Sequence, residues 1–181
     1  MVHIDFSRLR LLVIDDNAYM RRIVRMLLQG LGVREVQEAE DGASGLEAFT
    51  YFGPDIVLLD WMMPIFDGRE FTQMIRQQSA NANPYVSIIM LTAHSEMKHV
   101  MAARDAGVTE FLAKPISAKA LYGRILNAVA NPRPFIKTQT YFGPDRRRNA
   151  NPTYGGPERR KGGNAETIKQ QPMLKRQEAM V

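Results

Sequence analysis

The sequence has no cysteine among its 181 residues, which excludes disulfide bonds and thiolate metal sites. Long hydrophobic runs are also missing, because stretches such as residues 56–59 and 88–91 hold only four apolar residues each. A helix that crosses a bilayer needs about 20 consecutive apolar residues, so no membrane insertion is expected. The N-terminal segment is interrupted by Asp5, Arg8 and Arg10 and does not resemble a signal peptide. We therefore expect a soluble cytoplasmic protein.

Charge is distributed unevenly along the chain. Residues 1–130 contain 13 Lys and Arg against 15 Asp and Glu, a net charge of −2, whereas residues 131–181 contain 11 against 4, a net charge of +7. The second part is too short for another ordinary domain. We predict one domain over residues 1–130 and a basic low-complexity tail over residues 131–181. The tail is expected to be disordered, because its few aliphatic residues cannot offset the entropy cost of ordering.

Short apolar strands alternate with amphipathic helices in the predicted domain. The predicted strands are residues 10–14, 35–38, 56–59, 86–91 and 110–113. Each strand is followed by a helical pattern, over residues 18–31, 43–52, 69–77, 96–106 and 118–129. This order predicts an α/β fold: a five-stranded parallel sheet, doubly wound, with helices on both faces. In such sheets ligands bind at the carboxyl ends of the strands, so we expect the functional residues at those ends.

Polar residues stand at the ends of four predicted strands: Asp15 and Asp16, Asp60, Thr92, and Lys114. Three carboxylates at one sheet edge repel one another unless a cation lies between them. Mg²⁺ suits such a site, with Mn²⁺ as the substitute, and Lys114 adds a fixed positive charge. Each residue alone is typical of a cap or a turn, but the whole set indicates phosphoryl chemistry with an Asp carboxylate as nucleophile.

This arrangement resembles the receiver domain of two-component response regulators, over about residues 8–130 of the chain. The resemblance implies that Asp15 and Asp16 bind Mg²⁺ and that Asp60 is the phosphoacceptor and a metal ligand. It also implies that the backbone carbonyl of Met62 completes the metal shell. No other cofactor is implied.

Further positions match the same family. Thr92 and Lys114 are expected to contact the phosphoryl oxygens, and Lys114-Pro115 resembles the family's cis peptide. Phe111 occupies the position of the family's switch aromatic, and Thr92 is the second switch residue. A phenyl ring lacks the hydroxyl of Tyr, so we expect burial of the ring to stabilise its inward state. His94 occupies a position that tunes dephosphorylation in the family, and Trp61 is expected to be exposed or half-buried.

The resemblance implies a stand-alone response regulator that accepts a phosphoryl group from a sensor histidine kinase or a histidine phosphotransfer protein. Its output would be a downstream protein bound on the face made by the fourth helix, fifth strand and fifth helix. The chain would not be an enzyme, apart from its own phosphotransfer and dephosphorylation, and no helix-turn-helix output domain is expected. The alternative is a phosphorylation-independent adaptor whose basic tail binds a partner protein or nucleic acid.

Two other protein classes fit less well. An aspartyl-phosphate phosphatase needs a second Asp two residues after the nucleophile, where this chain has Met62. A flavin-binding flavodoxin-like protein needs a phosphate loop after the first strand, where Asp15 and Asp16 would repel phosphate.

The tail contains an imperfect repeat with a spacing of 13 residues. Residues 141–148 read Tyr-Phe-Gly-Pro-Asp-Arg-Arg-Arg, and residues 154–161 read Tyr-Gly-Gly-Pro-Glu-Arg-Arg-Lys. Three partners fit this motif: an acidic protein groove, a nucleic-acid backbone, or the acidic face of the chain's own domain. Residues 51–55 have the same sequence as residues 141–145. We expect a helix stop at residues 51–55 and interpret the identity as coincidence.

Overall fold

The computed structural model describes residues 5–77, 83–93, 97–146 and 166–170. The strands of the main sheet are β1 (Arg10–Ile14), β2 (Glu35–Ala39), β3 (Ile56–Asp60), β4 (Ser87–Thr92) and β5 (Glu110–Ala113). The helices are α1 (Ala18–Gly30), α2 (Gly42–Phe52), α3 (Gly68–Arg76), α4 (Met97–Ala106) and α5 (Ala118–Ala130), and a 3₁₀ helix covers Phe6–Arg8. The order of elements matches the sequence prediction.

The five strands form one parallel sheet in the order β2-β1-β3-β4-β5. Every residue of β3 is buried, as expected for a strand with both faces covered. Successive connections run in opposite directions from β1, so the strand order reverses between β1 and β3. The predicted doubly wound α/β fold is therefore confirmed, and its crevice lies at the carboxyl ends of β1 and β3.

Two apolar layers sandwich the sheet. One layer packs residues of α2, α3 and α4, including Phe49, Phe71 and Ala103, against one sheet face. The other packs residues of α1 and α5, including Leu28 and Ile125, against the opposite face. The three- and four-residue spacing of these side chains places them on one stripe of each helix, which fixes which face each helix covers.

Side chains cap the helices that lead away from the carboxyl edge. Asn17 accepts hydrogen bonds from the amides of Tyr19 and Met20 at the start of α1. Asp67 accepts from Glu70 N at the start of α3, and Ser117 caps α5. These caps hold the loops that carry the strand-end residues. The predicted cap of α4, Ser95, lies outside the described residues.

The described part of the tail differs from the predicted disorder. Strands β6 (Phe135–Lys137), β7 (Phe142–Pro144) and β8 (Glu166–Ile168) form an antiparallel sheet in the order β7-β6-β8. The prediction of disorder is thus wrong for residues 131–146, which we call the arm. The physical reason is that Phe135 and Phe142 pack against Tyr85 of the domain, an aromatic contact that composition does not reveal. Residues 147–165 and 171–181 lie outside the described residues.

Within the described ranges, no helix is both long and apolar enough to cross a membrane.

Candidate functional site

The carboxyl ends of β1 and β3 bring three carboxylates together. One carboxylate oxygen from each of Asp15, Asp16 and Asp60 lies within 4.8 Å of the others. Asp15 is 0% exposed and Asp60 is 8% exposed, whereas Asp16 faces solvent. We call these three residues the acid cluster. Such a set of hard oxygen donors, buried on one side and open on the other, fits a divalent cation that keeps some water ligands.

Lys114 provides the positive charge at this site. Its Nζ lies 2.8 Å from Asp15 Oδ2 and 3.1 Å from Asp60 Oδ2. The residue follows β5, its amide donates to Thr92 O at 2.8 Å, and the Lys114-Pro115 peptide is cis, as predicted. Desolvation opposes its charge, but the hydrogen bonds and charges of Asp15 and Asp60 outweigh desolvation and raise the pKa of Lys114. Lys114 therefore remains a cation at neutral pH.

Asp60 has the opposite balance. Burial raises the pKa of its carboxyl group, and the nearby charge of Asp15 raises it further. Lys114 and a hydrogen bond from the backbone of Met62 lower the pKa and offset part of this effect. The carboxylate is consequently held in an environment that disfavours its negative charge, and added positive charge at the cluster would relieve this cost.

The remaining predicted residues lie around the same edge of the sheet. Thr92 ends β4 and is buried, and Phe111 on β5 is half-buried against the apolar layer of α2, α3 and α4. Met62 is 58% exposed at the start of the loop after β3. The roles of these residues stay predictions. The expectation for Trp61 is wrong, because its ring is 6% exposed and belongs to that apolar layer.

Two supporting residues were not identified from the sequence. Arg21 Nη1 donates to Asp15 O at 2.8 Å and to Asp16 O at 3.4 Å, so α1 holds the backbone of the acid pair. A Cβ atom on Gly68 would lie 2.5 Å from Asp60 O, so only glycine fits beside the end of β3. The Asp67-Gly68 dipeptide is typical of a turn and could have pointed to this position, whereas nothing in the spacing of Arg21 indicates its contact.

The first copy of the tail motif contacts the chain's own domain. Arg146 Nη1 lies 3.2 Å from Asp105 Oδ1 at the C-terminal end of α4. Three kinds of partner fit the motif. For this copy the structure shows one of them, an acidic residue of the chain's own domain. The second copy, residues 154–161, and His94 lie outside the described residues.

The fold and this site define the class of protein. The family model described as the response regulator receiver domain matches residues 11–126. The chain belongs to this family, which agrees with the predicted resemblance. Its acid cluster and Lys114 lie at the edge of the sheet where the resemblance predicted them.

Two of the relatives are chemotaxis proteins. The chain is similar to chemotaxis protein CheY-3 of Vibrio cholerae, with 34% identity over 115 residues, 64% of this chain and 87% of the relative. Its similarity to chemotaxis protein CheY of Bacillus subtilis is 36% over 120 residues, 66% of this chain and 93% of the relative.

Solved structures support the same fold. A response regulator receiver domain protein from Clostridium thermocellum superposes with a TM-score of 0.61 at 31% identity, covering 67% of this chain and 94% of that chain. Chemotaxis protein CheY4 of Vibrio cholerae superposes with a TM-score of 0.61 at 28% identity, covering 66% and 97%. Both matches leave about a third of the present chain uncovered, so the likeness concerns its receiver domain.

Proposed function

We propose that the chain is a response regulator that accepts a phosphoryl group on Asp60 from a phosphohistidine donor in the cytoplasm. The donor is a sensor histidine kinase or a histidine phosphotransfer protein. The observation that carries the proposal is the bridging position of Lys114 Nζ, 2.8 Å from Asp15 and 3.1 Å from Asp60, beside three convergent carboxylates. A cation fixed between a nucleophile and a metal-binding acid supports phosphoryl transfer, where charge neutralisation supplies most of the catalysis.

Each residue of the site has its own role in the phosphoryl transfer. A carboxylate oxygen of Asp60 forms the new bond to phosphorus while the bond from phosphorus to the donor imidazole nitrogen breaks, and the imidazole keeps the bonding electrons. Lys114 neutralises charge on the phosphoryl oxygens, and Thr92 supplies a hydroxyl donor. Asp15, Asp16, Asp60 and the backbone carbonyl of Met62 would hold Mg²⁺. The bound ion would supply charge neutralisation for the transferred group.

The surroundings of the site suit a protein donor. Met62 is 58% exposed and Ile65 is fully exposed beside the acid cluster, where a second protein would cover them. A partner protein that covers these two side chains would bury apolar surface as it reaches Asp60. This supports a histidine on a partner protein as the donor.

Phosphorylation would act as a switch between two conformations that already exist in equilibrium. Thr92 and Lys114 are drawn toward the new phosphoryl oxygens, and burial of Phe111 stabilises the activated form. The output is binding of a downstream protein on the face made by α4, β5 and α5. On this proposal the chain is not an enzyme for other substrates.

The test is incubation of the full chain with acetyl phosphate and Mg²⁺, followed by intact mass spectrometry. Wild type should gain one phosphoryl group, whereas Asp60→Asn and a wild-type sample with EDTA should gain none. Replacement of Mg²⁺ by Mn²⁺ should restore the gain. Equal partner binding by wild type and Asp60→Asn in the presence of the phosphodonor would instead support the adaptor alternative.

A further inference from the structure

The arm lies at the edge of the sheet opposite the acid cluster. Tyr85, just before β4, has its ring centroid 5.2 Å from that of Phe135 and 5.3 Å from that of Phe142. Arg133 Nη1 donates to Thr109 O, just before β5, at 3.2 Å. The arm is therefore anchored by aromatic packing and a hydrogen bond at the amino ends of two neighbouring strands.

Arg76 connects the arm to the end of α4. Its guanidinium donates to Gly107 O from Nε at 3.0 Å and from Nη2 at 2.9 Å, and to Pro84 O at 2.7 Å. A cation bound to the carbonyl at a helix C-terminus stabilises that helix end. The ring of Phe135 lies over this guanidinium, with Arg76 Cζ 5.1 Å from the centroid. Burial lowers the pKa of Arg76 to about 9, so the group is still charged at neutral pH.

The contacts of the first motif copy depend on its particular residues. Tyr141 Oη donates to Pro144 O at 2.9 Å, and Arg146 Cζ lies 4.1 Å from the tyrosine ring centroid. A Cβ atom on Gly143 would lie 2.6 Å from Tyr141 Oη and 3.2 Å from Gly107 Cα. A side chain at position 143 would displace the Tyr141 ring and crowd Gly107, so glycine suits both contacts. The arm is thus fitted to the end of α4 by sequence-specific contacts.

We infer that the C-terminal ends of α3 and α4 form a recognition surface for the arm, and that docking of the arm is linked through α4 to phosphorylation of the acid cluster. This inference rests on the proposed function. Helix α4 connects the end of β4, where Thr92 lies, to Gly107, where Arg76 and the arm hold it. On this inference, a displacement of Thr92 toward a phosphoryl group would be passed along the chain to α4, whose other end the arm restrains.

The inference also includes a direction for the linkage. The arm is docked in the arrangement in which Lys114 is paired with both Asp15 and Asp60. A phosphoryl group on Asp60 converts that carboxylate to an acyl phosphate and breaks this pairing. The inferred direction is that docking favours the unphosphorylated arrangement, with which it coexists in this structure. By reciprocity, phosphorylation weakens docking by the same factor by which release of the arm favours the phosphorylated arrangement.

The first experiment measures hydrogen exchange of the full chain with and without beryllofluoride and Mg²⁺, an equilibrium analogue of the phosphoryl group. The amides of residues 135–143 should exchange faster with the analogue, on the order of fivefold or more. Asp60→Asn should show no change. Intact mass spectrometry with acetyl phosphate is run in parallel. A phosphoryl gain on wild type with unchanged arm exchange would overturn the linkage and leave the proposed function standing, whereas no gain would overturn both.

The second experiment tests the reciprocal effect with Gly143→Ala, whose added methyl group would lie 2.6 Å from Tyr141 Oη and 3.2 Å from Gly107 Cα and should loosen docking of the arm. Circular dichroism checks that the variant is folded, and Trp61 fluorescence reports analogue binding. The variant should bind beryllofluoride more tightly than wild type, by the same factor as the change in arm exchange. Gly123→Ala in α5 is the matched control, because nothing lies within 4 Å of its added Cβ, and it should bind like wild type. Equal affinity of the Gly143→Ala variant and wild type would contradict the linkage.

Discussion

Lys114 and Asp15 are joined across the carboxyl edge of the sheet, with Lys114 Nζ 2.8 Å from Asp15 Oδ2, although β3 and β4 lie between their strands. Asp15 is fully buried, so the lysine is its charge partner in the interior of the site. The same ammonium group also reaches Asp60 at 3.1 Å. The ammonium group therefore connects the proposed metal-binding acid with the proposed phosphoacceptor.

Replacement of this cation should destabilise the protein. Lys114→Met leaves Asp15 buried without its partner, which should lower the free energy of unfolding by about 1–3 kcal/mol at pH 7 without Mg²⁺. Because the pKa of Lys114 is raised in the folded state, its contribution is full below 10.5 and disappears as the pH rises through the folded pKa. Urea denaturation at pH 7 and above pH 10.5 measures both effects. Lys119→Met, at an exposed position, should leave stability unchanged; an equal loss there would contradict the assignment.

The Asp60 carboxylate should cost stability at neutral pH. Its pKa is raised in the folded state, so folding favours the protonated carboxyl group. This stabilisation is complete below pH 3.8 and is lost as the pH rises through the folded pKa. Asp60→Asn should therefore be more stable than wild type at pH 7 without Mg²⁺, and the difference should disappear below pH 3.8. Thermal unfolding across this pH range is the measurement. A variant less stable than wild type at pH 7 would show that pairing with Lys114 outweighs burial.

Arg21 should support metal binding through the backbone of the acid pair. Arg21→Gln removes the donor to Asp15 O and should weaken Mg²⁺ binding about tenfold, as measured by Trp61 fluorescence. Arg25→Gln is the matched control, because Arg25 pairs with the same Glu38 but donates to Val36 O instead. If the two variants bound Mg²⁺ equally, the contact with Asp15 would have no positioning role.

Gly68 should not tolerate a side chain. Gly68→Ala would place its Cβ 2.5 Å from Asp60 O and 3.0 Å from Trp61 Cα, and both are backbone atoms that cannot simply rotate away. We expect a loss of about 1–3 kcal/mol in the free energy of unfolding and a shifted Trp61 emission. Gly123→Ala, with open space around the added atom, should be neutral or stabilising in α5. An equal response of the two variants would contradict the close approach.

Arg76 and Phe135 should be energetically coupled. A double-mutant cycle of Arg76→Gln and Phe135→Leu should give a coupling energy of about 1–2 kcal/mol, because a desolvated cation lies over the aromatic ring. Urea denaturation of the full chain and its three variants provides the four free energies. Additive effects would show that the arm covers Arg76 without stabilising it.

Most of the receiver fold and the position of its acid cluster could be predicted from the chain. Apolar strands and amphipathic helices alternate, and this order imposes a parallel sheet whose carboxyl ends share one edge. Asp15 and Lys114 each follow a strand and Asp60 ends one, so their meeting required no knowledge of distant packing. Arg21 could not be identified in the same way, because its partner is a backbone carbonyl, a group that every residue type carries.

The repeated pentapeptide adopts a different conformation at each of its two positions in the chain. At residues 51–55 the segment Tyr-Phe-Gly-Pro-Asp ends α2, with Gly53 in the left-handed region at φ 60° and Arg10 over the ring of Phe52. At residues 141–145 the same five residues contribute β7, which pairs with β6 and packs on Gly107. The sequence alone determined the strand–helix order and the chemistry at the strand ends. The conformation of the arm was decided by long-range packing, because five residues cannot encode the surface against which they are buried.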